Sequence, residues 1–267
     1  MNHATGDSLV NSTTRSPTLL AMDTATETLH LALLAGGVSR TQRLEGGAKA
    51  SATLVPAIQA LLAEAGLGWS ALDAIAFGRG PGAFTGLRTA AAVTQGLAFG
   101  ANKPVIALDT LLAVAEDARQ AAELAGTEVD TVWAATDARM GEVYAAAYRW
   151  VDAHWHTMAE PALLSPVNFV AQVQAGAATA TAVAGNALLA HADALAALPA
   201  EASRWPQAAP RGAALLALAQ AAWARGEVHD AAQALPLYVR DKVAQTTAER
   251  EALAAARLAA AAGPETR

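Results

Sequence analysis

The sequence has no cysteine among its 267 residues. Disulfide bonds, thiolate metal sites and a cysteine nucleophile are therefore excluded. Aromatic residues are also scarce, at 5% of a chain that is 54% hydrophobic, and much of the apolar content is alanine. This composition predicts a compact, helix-rich globular protein of one large domain or two modest ones.

Basic charge is in short supply as well. The chain has 18 Lys and Arg residues against 24 Asp and Glu residues, a formal net charge of -6, and no basic run, which argues against an autonomous nucleic-acid binder. No apolar stretch is long enough to span a bilayer. Residues 1–17 are polar and lack the apolar core of a signal peptide. We expect a cytoplasmic protein with a flexible N-terminal extension.

The sequence also lacks the patterns of common catalytic sites. None of its six histidines stands four residues from another, and His154 and His156 flank Trp155 in a polar stretch typical of a surface. There is no GxSxG elbow for a serine nucleophile. We therefore predict no catalytic residue and no metal ion.

One glycine-rich segment stands out, GRGPGAFTGLR at residues 78–88, called here the Gly-rich segment. It lies between a predicted strand, Ala74–Phe77, and a predicted helix, Leu87–Phe99. A strand, a glycine turn and a helix N-terminus can together bind an anion. The segment has no Gly-Lys-Ser/Thr ending, which excludes a P-loop. Its glycines would admit either a phosphate or a neighbouring backbone.

The two halves of the chain follow the same predicted order of β-hairpin, strand, helix, strand and helix. Each half places an aspartate at its first hairpin turn, Asp23 in the first and Asp137 in the second. Gly185 and Asn186 form a turn after the later strand of the second half. The order predicts an internally duplicated α/β protein.

Four segments, in order, resemble the TsaB family. They are LAMDTATE at 20–27, the Gly-rich segment with Ala83 where the family has serine, TDARMGEVY at 136–144 and PLYVR at 236–240. Together they cover about Leu19 to Arg240. The resemblance implies an actin-like ATPase fold with two duplicated α/β lobes.

The resemblance also implies boundaries and partners. The predicted domains are an extension at 1–17, a first lobe at 18–109, a second lobe at 110–240 whose last helix packs back on the first, and an Ala-rich tail at 241–267. The family is the non-catalytic partner of the transferase TsaD and, with the ATPase TsaE, serves threonylcarbamoyladenosine formation in tRNA. This implies tRNA contact only through the complex, and self-association when the chain is alone.

Partner docking is expected at the Gly-rich segment and the helix after it, where small residues allow close approach. The predicted partner-binding residues are Gly78, Arg79, Gly80, Pro81, Gly82, Phe84, Thr85, Gly86, Leu87, Arg88, Val93 and Leu97. The alternative left open is that this helix packs on its own sheet.

A second alternative is a nucleotide-dependent kinase or ATPase of the actin-like superfamily. Its candidate nucleotide-binding residues are Asp23, Thr24, Asp137 and Gly185. An aspartate in the first hairpin can organise Mg²⁺, or it can simply cap local N–H groups. The second-lobe turn lacks the second glycine usual in that superfamily. We expect no required cofactor and, at most, weak nucleotide binding.

Overall fold

The structure is a computed structural model that describes residues 15–47, 50–176 and 180–240. The predicted tail at 241–267 and most of the predicted N-terminal extension lie outside these ranges. The chain divides into two units after Leu237. All helices and strands within the described ranges belong to the first unit.

The first sheet has five strands in the order β3-β2-β1-β4-β5. Strands β1, β2 and β3 form an antiparallel meander, and β4 and β5 join it in parallel. Parallel neighbours require crossover connections, usually a helix. The chain has one helix between β3 and β4 and another between β4 and β5. The strands are β1 Leu19–Asp23, β2 Thr28–Ala35, β3 Val38–Glu45, β4 Ala74–Gly80 and β5 Val105–Asp109.

The second sheet repeats this arrangement. Its order is β10-β9-β6-β7-β8, so the first three strands are again an antiparallel meander and the last two are parallel additions. The strands are β6 Thr131–Arg139, β7 Glu142–Val151, β8 His154–Leu164, β9 Ala182–Ala184 and β10 Ser203–Trp205. The repeated order confirms the predicted duplication of the α/β fold.

Seven α-helices connect and cover the sheets within the described ranges. Helix α2 begins at Phe84, three residues before the predicted start, so the last five residues of the Gly-rich segment are helical. The helices are α1 Ala50–Glu64, α2 Phe84–Ala101, α3 Thr110–Leu124, α4 Pro166–Ala175, α5 Ala187–Ala190, α6 Ala192–Leu195 and α7 Gly212–Ala224. No helix in the described part of the chain is both long and apolar enough to cross a membrane.

Strands β1, β2 and β4 of the first sheet are buried on both faces. On one face Leu29, Leu31 and Leu33 of β2 pack into a core with α1 and α2. On the other face Ala32 and Leu34 pack into a core with α7. Successive strand side chains point to opposite faces, so the near-continuous apolar run of β2 fits burial on both sides. Helix α7 thus covers the first sheet although it follows the second in sequence.

Candidate functional site

The Gly-rich segment packs directly on the first hairpin turn. A Cβ atom at Gly86 would lie 1.9 Å from the Thr24 carbonyl oxygen, and one at Gly82 would lie 2.6 Å from Ala25 Cβ. The Ala83 N–H donates to the Ala25 carbonyl at 2.8 Å, and the Thr24 hydroxyl donates to the Gly86 carbonyl at 2.6 Å. The space that a phosphate would need beside these glycines is occupied by the chain's own backbone.

Asp23 is fully buried beneath the same segment. A Cβ at Gly78 would lie 1.8 Å from its Oδ2 atom. Oδ1 accepts from the Ala25 N–H and Oδ2 accepts from the Thr110 hydroxyl, each at 2.7 Å. Burial raises the pKa of Asp23 to about 6 although both hydrogen bonds oppose this rise. These contacts favour a turn-capping role for Asp23 over a role as an Mg²⁺ ligand.

The predicted partner-binding residues fall into three groups by exposure. Phe84, Thr85 and Arg88 are exposed, and the Arg88 guanidinium lies 3.8 Å from the Phe84 ring centroid. Five residues are buried and can act only through the shape of the segment, and four are half-buried. The buried ones are Gly78, Gly80, Pro81, Gly86 and Leu87, and the half-buried ones are Arg79, Gly82, Val93 and Leu97.

The exposed residues line an open groove of about 400 Å³ on the outer side of α1 and α2. We call it the α2 groove. Sequence reasoning missed three of its residues, although Thr89 follows Thr85 at helical spacing. The groove is lined by Ser51, Phe84, Thr85, Arg88, Thr89, Ala92 and Val93.

The second-lobe candidates form a cluster of their own. The Asp137 carboxylate accepts from the Arg139 N–H at 3.0 Å and lies 3.1 Å from His191 Nε2. A Cβ at Gly185 would lie 2.1 Å from the Ala135 carbonyl oxygen, so this glycine permits close packing on β6. Arg139 also pairs with Glu27 of the first hairpin turn, so the two hairpin turns lie within side-chain reach of each other.

Among the described residues, no group of three or more His, Cys, Asp and Glu side chains could hold a metal ion. His154 and His156 lie on β8, where both are exposed.

Comparison with known proteins gives both family and structural matches. A family model described as TsaD, tRNA N6-adenosine threonylcarbamoyltransferase, matches residues 45–248. YeaZ from Pseudomonas aeruginosa superposes with a TM-score of 0.72 and 38% identity, covering 84% of this chain and 100% of that one. The chain belongs to the TsaB (YeaZ) branch of this TsaD-like family.

Two further relatives of the TsaB branch differ in their descriptions. A Haemophilus influenzae protein named tRNA threonylcarbamoyladenosine biosynthesis protein TsaB is 45% identical over 127 residues, which is 48% of this chain and 52% of that protein. A second P. aeruginosa structure, with a TM-score of 0.74, 39% identity and coverage of 84% and 100%, is described as uncharacterized with similarity to the peptidase YeaZ. The chain spans about half the length of the curated relatives it matches.

Three of the four TsaB-like segments meet at one place in the fold. Besides the hairpin turn, the end of the first unit reaches the Gly-rich segment, because the Leu237 N–H donates to the Arg79 carbonyl at 2.7 Å. The Arg79 side chain forms an ion pair with Asp109 at 2.6 Å. Gly80 has a φ of 114°, and a Cβ there would lie 3.0 Å from the Leu237 carbonyl oxygen. The hairpin turn and Leu237 therefore both contact the Gly-rich segment.

One buried hydroxyl near this ion pair yields a test of the lobe packing. Within the described chain, the fully buried Tyr148 hydroxyl has no hydrogen-bond partner, and burial, together with Asp109, raises its pKa well above 10. Removing an unsatisfied buried donor should stabilise the fold, so Tyr148→Phe is expected to raise the free energy of unfolding by about 1 kcal/mol. Urea denaturation measures the change, and a loss of stability instead would reveal a partner for the hydroxyl.

Proposed function

We propose that this chain is a non-catalytic scaffold subunit that binds TsaD, together with TsaE, for threonylcarbamoylation of tRNA. The modified base is the adenosine beside the anticodon in tRNAs that read codons starting with A. The family match and the pathway named for the H. influenzae relative support this role. The observation that supports it best concerns the Gly-rich segment. The chain's own hairpin turn occupies the space beside the glycines, while α2 presents an open groove.

The contacts of the titratable groups support a non-catalytic role. Both oxygens of Asp23 already accept hydrogen bonds from the chain. Within the described ranges, His191 contacts the Asp137 carboxylate, yet no serine hydroxyl is bonded to that histidine. A peptidase of the serine type would need a nucleophile and a base in hydrogen-bond contact.

A scaffold of this kind acts by selective binding. If the chain binds one conformation of TsaD more tightly than the others, it shifts the TsaD population toward that conformation without chemistry of its own. The α2 groove suits such docking, since Thr85, Thr89 and Ala92 are small and let a partner helix approach closely. We propose that the same surface supports self-association when TsaD is absent.

A charge placed in the α2 groove tests the docking surface. Ala92→Arg is expected to weaken TsaD binding at least tenfold, about 1.4 kcal/mol, because a buried charge without a partner opposes association. Ala171→Arg is the matched control, since Ala171 is also an exposed helical alanine but lies on α4 of the second lobe. Calorimetric titration with TsaD gives both affinities, and equal weakening by the two variants would rule out the α2 groove.

The functional role needs a separate assay. Purified TsaD and TsaE are incubated with tRNA, ATP and threonylcarbamoyl-adenylate, with and without this chain. Modification should depend on the chain and fall in the Ala92→Arg variant. Equal modification without the chain would show that the scaffold proposal is wrong.

A nucleotide-dependent ATPase is the second candidate. The Arg139–Glu27 ion pair favours it, because a nucleotide site of this kind needs the hairpin turns of both lobes to face the same nucleotide. We propose no required cofactor and at most weak nucleotide binding, since Asp23 is enclosed. Tight ATP binding in a calorimeter that is lost in Asp23→Ala would support the ATPase instead.

A further inference from the structure

Strand β3 forms an open edge of the first sheet. In the described part of the chain its only strand neighbour is β2, and the two pair over all eight residues of β3 without a shift in register. The opposite edge, β5, is partly closed, because Val105 and His229 exchange two backbone hydrogen bonds of 2.9 Å. An unpaired strand edge can accept a strand from another chain.

The edges of the second sheet are shorter or less regular than β3. Strand β10 has only three residues. Strand β8 contains Pro161, and its pairing with β7 shifts register twice. Short strands, prolines and bulges all hinder the addition of a further strand. Strand β3 has neither a proline nor a bulge, so among the described strands it is the edge best suited to pairing.

The register with β2 decides which backbone groups of β3 point outward. The Gly46 N–H, just after β3, donates to the Glu27 carbonyl at 2.9 Å. Hydrogen-bonded pairs alternate with non-bonded pairs in an antiparallel ladder, so the even-numbered residues of β3 bond to β2. The N–H and C=O groups of the odd-numbered residues point away from it. Within the described ranges those of Ser39, Thr41 and Arg43 have no hydrogen-bond partner, and all three residues are exposed.

The two arginines of β3 lie on opposite faces of the sheet. Leu44 packs against the core that includes α1 and α2, and Arg40 shares this face because successive side chains alternate. A Cβ at Gly212 of α7 would lie 2.8 Å from Thr41 Cγ2, so Arg43 shares the face that α7 covers. Each face of the strand therefore presents one guanidinium group.

The charge of this edge favours an acidic partner. Among the described residues neither Arg40 nor Arg43 has an ion-pair partner, and Glu45, the only acidic residue of β3, ends the strand. Opposite charges on paired strands stabilise the pairing, and like charges oppose it. A second copy of β3 would bring two more arginines, so charge favours a strand with carboxylates over self-pairing.

We propose that β3 binds an extended acidic segment of a partner protein by strand addition. The outward N–H and C=O groups of Ser39, Thr41 and Arg43 bond to the partner's backbone, as in other β-augmentation complexes. Arg40 and Arg43 bind its carboxylates. Because the two arginines are three positions apart and on opposite faces, the matching acids are three positions apart in a strand of either direction. This site uses the edge of the sheet rather than the α2 groove, and it does not depend on the proposed function.

Two capped peptides of equal composition test the spacing. The peptide TVETVETV has its glutamates three positions apart, and TVETEVTV has them two apart, on one face. Each is titrated into the ¹⁵N-labelled full-length protein, and amide hydrogen exchange is followed by NMR. TVETVETV should saturably slow exchange at Ser39, Thr41 and Arg43, with little change at the even-numbered residues that already bond to β2. TVETEVTV should bind about threefold more weakly, since only one glutamate can face an arginine.

Variants of β3 separate the backbone contribution from the charge contribution. Ser39→Pro removes an outward N–H but no bond to β2, as proline permits at a sheet edge, and should weaken TVETVETV binding roughly fivefold. Ser39→Ala keeps the N–H and is the matched control, with binding expected within about twofold of the wild type. In Arg43→Gln the two peptides should bind equally, because each can then place one glutamate opposite Arg40.

Three results would overturn strand addition at β3. They are the absence of saturable protection, protection that does not alternate along the strand, and equal affinity of the two peptides for the wild type. Unchanged binding in Ser39→Pro would likewise contradict the backbone pairing. Amide signals outside β3 report whether each variant keeps the fold.

Discussion

Replacing Gly86 with alanine is expected to lower the free energy of unfolding by about 3 kcal/mol or more. The added Cβ would lie 1.9 Å from the Thr24 carbonyl oxygen, and its three nearest atoms all belong to the backbone of the hairpin turn, so no flexible side chain could move away. Displacing the hairpin turn would also break the hydrogen bond from the Thr24 hydroxyl to the Gly86 carbonyl. Urea denaturation followed by circular dichroism measures the loss.

Gly96→Ala is the matched control within the same helix. Gly96 is exposed on α2 and nothing lies within 4 Å of its added Cβ. Because alanine is the better helix former, this variant should gain up to about 1 kcal/mol. Similar stability changes in the two variants would contradict the close packing of the Gly-rich segment on the hairpin turn.

Two buried neighbours, Asp23 and His30, are expected to give opposite pH dependences of stability. Burial raises the pKa of Asp23 from 3.8 to about 6. Its contribution to stability is therefore full below pH 3.8 and is lost as the pH rises through about 6. Burial lowers the pKa of His30 from 6.5 to about 4. Its contribution is full above pH 6.5 and is lost as the pH falls through about 4.

Each of these effects amounts to roughly 3 kcal/mol and the two largely cancel in the wild type. Relative to wild type, Asp23→Asn should therefore gain more stability near pH 7 than near pH 4, by roughly that amount. His30→Gln should show the reverse. For the double variant, the difference from wild type should be nearly independent of pH. Urea denaturation across this pH range measures all four proteins, and parallel curves would contradict the proposed pKa values.

Much of the fold follows from local patterns in the sequence. The alternation of Leu29, Leu31 and Leu33 predicts a strand, and the repeated order of elements predicts the duplication. These patterns can be recognised in a single sequence because they depend on residues that are close together in the chain. The start of α2 was predicted three residues late because Pro81 and the glycines before it masked the first helical turn.

The contacts that shape the candidate site could not be predicted in the same way. Gly86 contacts Thr24, and Leu237 contacts Arg79. The partners of each contact are far apart in the sequence, so no pattern among neighbouring residues predicts either contact. The sequence pointed to Leu97 and Val93 as docking residues, yet both are half-buried against their own core. Ser51 lines the α2 groove because α1 packs beside α2, which only tertiary structure specifies. The candidate nucleotide-binding and partner-binding roles stay predictions.

The packing of α7 on the first sheet has a consequence for biosynthesis on the ribosome. The apolar face formed by Leu19, Ala21 and Leu34 gains its cover from Leu215 and Leu216, which are translated some 180 residues later. Until those residues emerge from the exit tunnel, a nascent first lobe exposes that face to chaperones and proteases. Prematurely terminated chains should therefore be cleared before they can compete with finished copies for a partner.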